Sequence, residues 1–205
     1  MISIKQINEK DIDLCYELDL NTISLWSKKQ WTKEFKKEGI KVFGILLSNN
    51  VIGICVFHVV LDEAQINFFA VSHKYRKKGF GTYLMSYLIN ECKKLNVHKL
   101  FLEVSHTNST AEKFYSRFEF STVGIRRNYY KDGSHALLYA LQDLLKVISS
   151  KIYSGESYFL TNSSIEHPPI DNFPSLPIDV VIGTIFLFGL SKSIFCFKKE
   201  FFSSI

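Results

Sequence analysis

Val71-Ser72-His73-Lys74-Tyr75-Arg76-Lys77-Lys78-Gly79-Phe80-Gly81-Thr82 joins an apolar run to the start of a long amphipathic segment. The order is strand, basic glycine-containing turn, helix start. The first turn of a helix carries backbone N–H groups without intrahelical partners and the positive end of the helix dipole. Gly79 and Gly81 lack a Cβ, so a bulky anion can approach those amides closely. Arg76, Lys77 and Lys78 add positive charge beside them. The simplest ligand is a phosphorylated one; the competing reading is a solvated basic loop, since short motifs recur by chance. The spacing is neither the G-x-G-x-x-G of dinucleotide sites nor the G-x-x-x-x-G-K-[ST] of a Walker loop. What remains is R-x-x-G-x-G.

Upstream of this turn, Ile2 to Gln6 alternates and reads as a short strand. Asn8 to Leu20 sets Ile12, Leu14, Cys15 and Leu18 among acids and predicts a helix, and Ser27 to Phe35 predicts another with Ser27 as N-cap. Val42 to Leu47 and Val51 to Val60 flank Ser48-Asn49-Asn50 in a hairpin pattern, and Asp62-Glu63 turns the chain into the strand Ala64 to Val71. Downstream, Gly81 to Leu95 places Leu84, Leu88, Ile89, Cys92 and Leu95 on one helical face. Lys99 to Val104 reads as a buried strand and Ser109 to Phe118 as a helix. Ser121 to Arg127 and His135 to Leu141 read as paired strands around Lys131-Asp132-Gly133-Ser134. The order βααβββαβαββ, with an early antiparallel meander, predicts a three-layer α+β domain.

The 205 residues allow one domain with a good core plus an appendage. A hydrophobic share of 46% and an aromatic share of 15% predict a packed core rather than disorder. The net charge of +5 favours acidic partners such as CoA phosphates, RNA-rich assemblies or anionic membranes, although clustered lysines also decorate ordinary surfaces. Cys15, Cys55, Cys92 and Cys196 form no C-x-x-C pair, so inert thiols are expected rather than a disulfide framework. His58, His73, His98 and His106 show no ligand spacing, and no metal site is expected. The N-terminus does not read as a signal peptide, which points to a reducing cytoplasm.

The R-x-x-G-x-G turn resembles the pyrophosphate-binding motif of the GNAT superfamily of acetyl-CoA-dependent N-acetyltransferases, and the element order is that superfamily's order. Within it the chain resembles the RimI type, which acetylates the N-terminal α-amine of a small-subunit ribosomal protein. The matching residues are Trp26-Ser27, Val59 to Ala64, Ala70-Val71, the Arg76 to Gly81 turn, Leu102-Glu103-Val104, Asn108, Tyr115 and Ile125 to Tyr130. They cover roughly residues 1–142. The resemblance implies a GNAT fold, three layers αβα around a central mixed sheet, over a domain of residues 1–145.

Acetyl transfer to an amine requires a base for the amine, a held thioester and an acid for the leaving thiolate. By resemblance, Glu103 is the general base and Tyr115 the general acid. Read without the family, Glu103 is a carboxylate near the end of a core strand, where desolvation strengthens a base, or else a solvated surface charge. Tyr115 is equally a core tyrosine with a satisfied hydroxyl. The resemblance assigns acetyl-CoA binding to Phe69, Ala70 and Val71, to Arg76, Lys77, Lys78, Gly79, Phe80, Gly81 and Thr82, and to Asn108. The backbone of Phe69, Ala70 and Val71 would pair with the pantetheine arm as an added strand does, and Asn108 is also a natural helix cap. Ser105 stands where the RimI type usually carries arginine, and His135 where an acidic residue is common, which bears on the acceptor. The basic and aromatic run Arg126 to Tyr130 reads as an acceptor-side strand, with no direct nucleic-acid binding expected.

Past residue 150 the resemblance stops. Residues 146–175 read as a linker rich in turn formers, and residues 176–205 as an apolar tail. Its uninterrupted part, Val180 to Ser191, is about a dozen residues, short of the roughly 20 that a spanning helix needs. A weak membrane anchor, a docking segment and an inert extension all fit. Three functions follow: N-terminal α-amine acetylation of a protein, most directly a ribosomal protein with N-terminal alanine; acetylation of a small amine such as a polyamine, amino acid or aminoglycoside; and a catalytically silent acyl-CoA-binding or membrane-interaction module.

Overall fold

In the computed structural model, which describes residues 2–144, the chain follows the predicted element order. The elements are β1 (Ile2–Gln6), α1 (Ile12–Leu20), α2 (Lys28–Phe35), β2 (Ile40–Leu47), β3 (Asn50–Val60), β4 (Glu63–Val71), α3 (Phe80–Lys94), β5 (Lys99–Ser105), α4 (Ser109–Ser116), β6 (Ser121–Arg126) and β7 (Ala136–Leu141). One-turn 3-10 helices, Glu9–Asp11 and His73–Tyr75, lead into α1 and out of β4. Most boundaries shift by one to four residues from the reading, α1 beginning at Ile12 rather than Asn8 and α4 ending at Ser116 rather than Phe118. β6 ends at Arg126 and β7 begins at Ala136, so Arg127 to His135 form a long turn rather than strand ends. The predicted linker over 146–175 and the apolar tail over 176–205 lie outside the described residues. Among the described residues no helix is long and apolar enough to cross a membrane.

Local chemistry explains the boundaries. Ser27 caps α2: its Oγ accepts from the Gln30 amide at 3.3 Å, and Gln30 Oε1 accepts from the Ser27 amide at 2.8 Å. The β2–β3 hairpin turns through Ser48 and Asn49 at φ of 48° and 68°, the double left-handed geometry that matches strand twist. Asn108 caps α4 by accepting from the Ala111 amide at 3.1 Å.

The seven strands form one sheet in the order β1-β2-β3-β4-β5-β7-β6, antiparallel except for the β4–β5 pair. Strand alternation distributes apolar residues to two faces. One face carries Phe43, Ile45, Cys55, Phe57, Leu100, Leu102 and Val104 and packs against Leu84, Leu88 and Cys92 of α3 and Tyr115 of α4. The other carries Val42, Ile54, Val56, Phe68 and Ala70 and packs against Cys15 and Leu18 of α1 and Trp31 of α2. The central strand β3 is covered on both faces, which is why Ile52 to Phe57 is a continuous buried run.

Fully buried Asp19 organises the α1–α2 connection. Its carboxylate accepts from the Leu25 amide at 2.8 Å, the Trp26 amide at 2.8 Å and the Trp31 indole N–H at 3.0 Å. A buried carboxylate that takes three donors is compensated, and it locks the loop leading to α2.

Candidate active site

The site begins with an irregularity in β4. Val56 pairs with Phe68 but Phe57 pairs with Ile66, so Asn67 is an extra residue bulged out of the β3–β4 ladder. Ile66 and Phe69 join the α3-side core while Phe68 joins the α2-side core. Asn67 shares the α2 side, because its Nδ2 donates to Glu34 Oε1 of α2 at 2.7 Å. Glu34 is buried and also ion-paired with Lys37. Pairing between β4 and β5 ends two residues earlier, at Gln65 with Phe101. Beyond that point Ile66 to Val71 and Leu102 to Ser105 are not laddered to each other, and the sheet opens between its two parallel strands.

At the far end of β4 the chain enters the basic turn. Gly79 is the N-cap of α3 with φ of 88°, and as a glycine it supplies no side-chain cap to that helix. Lys77 is also left-handed, at φ of 59°. These two residues turn the chain so that the helix start faces the end of β4. Arg76 does not hang free: its Nε donates to the Val71 carbonyl at 2.9 Å and ties the turn to the strand. Lys74 and Lys78 lie over the Tyr75 ring at 5.5 and 5.8 Å. The Phe80 side chain is buried in the core, so only its backbone is available to a ligand. Thr82 Oγ1 accepts from Arg117 at 2.9 Å. A Cβ on Gly81 would sit 3.5 Å from Phe114 and 3.9 Å from Val71, ordinary contact distances; packing alone does not require glycine there.

Across the opening, β5 carries Leu100, Leu102 and Val104 on the α3 side, which sends Glu103 to the opposite face. Its side chain is 11% exposed and its Oε1 forms an ion pair with Arg126 Nη1 of β6 at 3.0 Å. The Tyr129 phenol is close enough to Glu103 to feel its charge; burial, and then this carboxylate, push the phenol up to about 12. Tyr115 lies on the α3 side in the core, edge-on to Phe69 with ring centroids 6.4 Å apart. Burial pushes its phenol well above the ordinary tyrosine range, and the nearby Tyr130 adds to the shift. Tyr130, in turn, is raised by burial and by Glu103.

The sequence-derived candidates therefore fall in two groups. Phe69, Ala70 and Val71 end β4, the Arg76 to Thr82 turn leads into α3, and Asn108 caps the helix α4 that carries Tyr115. Glu103 approaches from the other face with Arg126 and Tyr129. The bulge at Asn67 and its Glu34 anchor went unread in the sequence. The signal for the bulge was present, since Phe68-Phe69 interrupts the alternation of β4. Among the described residues, no cluster of three or more His, Cys, Asp or Glu is arranged to hold a metal.

The model of the acetyltransferase (GNAT) family matches residues 8–120. The chain belongs to the GNAT acetyltransferase family. Its relatives include the ribosomal protein bS18-alanine N-acetyltransferase of Escherichia coli K12, 31% identical over 133 residues that cover 63% of this chain and 88% of that protein. The crystal structure of the Escherichia coli ribosomal-protein-S18-alanine N-acetyltransferase superposes with a TM-score of 0.66 at 31% identity, covering 70% of this chain and 94% of that one. A GNAT family acetyltransferase from Elizabethkingia anophelis, solved with acetyl-CoA bound, shares the fold with a TM-score of 0.58 at 19% identity, covering 69% and 97% of the two chains. The α+β domain expected from the element order, and the GNAT fold that the resemblance implied, are the fold observed; GNAT family acetyltransferases use acetyl-CoA.

Proposed function

We propose that this chain transfers the acetyl group of acetyl-CoA to the N-terminal α-amine of a protein, with a small-subunit ribosomal protein bearing N-terminal alanine as acceptor. The observation that carries this reading is the placement of a carboxylate and a phenol on opposite faces of the β4–β5 opening. An acceptor amine arriving on the α1–α2 face meets Glu103, while a thioester lying along β4 has its sulfur beside Tyr115. The names of the relatives support the choice of acceptor, and that acceptor would place the enzyme in the cytoplasm.

Acetyl-CoA supplies the acetyl group activated as a thioester. Phe69, Ala70 and Val71 offer it backbone groups along the unladdered edge of β4, and the first turn of α3 from Gly79 to Thr82 offers amides and the positive dipole end to its pyrophosphate. Lys77 and Lys78 add charge, Arg76 holds the turn in place, and Asn108 orients the start of α4. Glu103, steered by Arg126 and Tyr129, takes the proton of the attacking ammonium, directly or through a water. The amine nitrogen so freed bonds to the carbonyl carbon as the C–S bond breaks; it gives up its second proton to solvent, and Tyr115 gives its proton to the departing sulfur and is reprotonated from solvent. The buried phenol stays protonated at neutral pH, the form an acid requires. The burial that raises the phenol also raises a thiolate formed beside it, so the two remain matched for proton transfer.

The test is acetyl-CoA with a panel of short peptides bearing free N-termini, followed by thiol release and peptide mass. One acetyl group is expected on the α-amine, lost in Glu103→Gln and in Tyr115→Phe while acetyl-CoA binding persists. Acetylation of small amines in place of any peptide would reject the acceptor class. Acetyl-CoA binding without turnover on either would reject the enzyme reading.

A further inference from the structure

The long turn between β6 and β7 holds two residues that grip Glu103: Arg126 at its entrance and Tyr129 three residues on. The Arg126 guanidinium also lies over the Tyr129 ring at 5.4 Å. Between them, Asn128 takes a left-handed conformation at φ of 51°. Asparagine tolerates that region but does not enforce it. At this bend the Asn128 amide donates to Nδ1 of His135 at 3.0 Å.

His135 is itself clamped to the strand that carries Glu103. The His106 amide, one residue past β5, donates to the His135 carbonyl at 3.0 Å. The His135 amide donates to His106 Nδ1 at 3.0 Å, and the two rings stack with centroids 4.9 Å apart. The same Nδ1 lies 3.3 Å from the His135 carbonyl; the shorter contact is the one an unprotonated Nδ1 makes. A continuous path of hydrogen bonds thus runs from the end of β5 through His106, His135 and Asn128 to the residue beside Tyr129.

We propose that His135 is a positioning residue for acetyl transfer: by accepting the Asn128 amide it shapes the turn that brings Arg126 and Tyr129 onto Glu103. This rests on the reading of Glu103 as the base. The Asn128–His135 bond lies within the β6–β7 turn, outside β4, the Arg76 to Thr82 turn and α4; the acetyl-CoA residue near it in sequence is Asn108, two residues past the His106 contact. The turn also has backbone closures: the Tyr129 and Tyr130 amides donate to the Ser134 carbonyl at 3.0 and 3.1 Å. If those suffice, His135 is dispensable, and that is the alternative the test must separate.

Asparagine places Oδ1 where histidine has Nδ1 and accepts the same amide, whereas leucine fills the space without an acceptor. In full-length protein, His135→Leu is expected to lower kcat/KM for the peptide acceptor by about tenfold to a hundredfold, the loss that a misplacement near 1 Å produces. Its Kd for acetyl-CoA should stay at the wild-type value. His135→Asn should restore most of the acceptor kcat/KM. Equal kinetics in the leucine variant and wild type would overturn the proposal, as would failure of the asparagine variant to exceed the leucine one. Should the leucine variant not fold, amide hydrogen exchange of the wild type decides: the Asn128 amide is expected to be protected, and free exchange there would overturn the proposal. Absence of acetyl transfer by the wild type, with Asn128 protected, would instead reject the acetyl-transfer reading and with it the role of the bond.

Discussion

Arg126 reaches Glu103 over an intervening strand. β7 lies between β5 and β6, and its Leu138 pairs with Glu103 on one side and Gly124 on the other. Gly124 leaves room for the Leu138 side chain, which a Cβ there would meet at 3.0 Å. Two residues further on, Arg126 extends back to the carboxylate at 3.0 Å. The ion pair is mostly shielded, so it orients the carboxylate rather than merely decorating the surface.

Glu103→Gln keeps the shape and the acceptor oxygen but removes the base. It is expected to lower kcat by about a hundredfold or more while leaving acetyl-CoA affinity intact. Arg126→Met should cost less, and mainly in kcat/KM for the acceptor. Steady-state kinetics with calorimetric acetyl-CoA titration would check both, and an unchanged kcat in Glu103→Gln would end the assignment.

Gly79 and Gly81 serve different ends, and alanine separates them. At Gly79, φ of +88° makes alanine strained by about 1–2 kcal/mol whatever the space. At Gly81 the added methyl makes only van der Waals contact, so the melting temperature should hold or rise. Gly81→Ala is nevertheless expected to weaken acetyl-CoA binding, because its methyl occupies the approach to the helix amides. Wild-type affinity in that variant would mean the phosphates do not come close there.

Removing the Asp19 carboxylate strands the Leu25 and Trp26 amides and the Trp31 indole at once. Asp19→Ala should lower stability by about 3 kcal/mol or more, as expected when several buried donors lose their acceptor. Urea unfolding measures it, and a loss below about 1 kcal/mol would show that water or a local shift replaces the carboxylate.

Alkali should unfold the domain earlier than its surface composition suggests. Burial raises the Cys15 and Cys92 thiols from 9.0 to about 12, with Asp11 and Glu91 adding smaller contributions. The folded state therefore holds these protons more tightly than the unfolded chain. Their contribution is complete below pH 9.0 and lost as pH rises toward about 12. The slope expected is about 1.4 kcal/mol per pH unit for each thiol. Urea titrations from about pH 8 to about pH 11 should show the decline, and Cys92→Ala should flatten it.

Local sequence determined the elements and their order. Hydrophobic period, the Ser27 and Asn108 caps, the Ser48-Asn49 turn and the glycine turn before α3 each act within a few residues, so their signal lies in contiguous sequence. The motif residues of the GNAT pattern were legible for the same reason. Only tertiary structure decided how Glu103 is held, where the sheet opens and what keeps the acceptor-side turn bent. β7 inserts between β5 and β6, Asn67 finds Glu34 thirty-three positions away, and His135 meets His106 where the ends of β5 and β7 pair. Such contacts join side chains that long loops bring together, and no local periodicity encodes which of many polar residues will meet once the two faces of the sheet are packed.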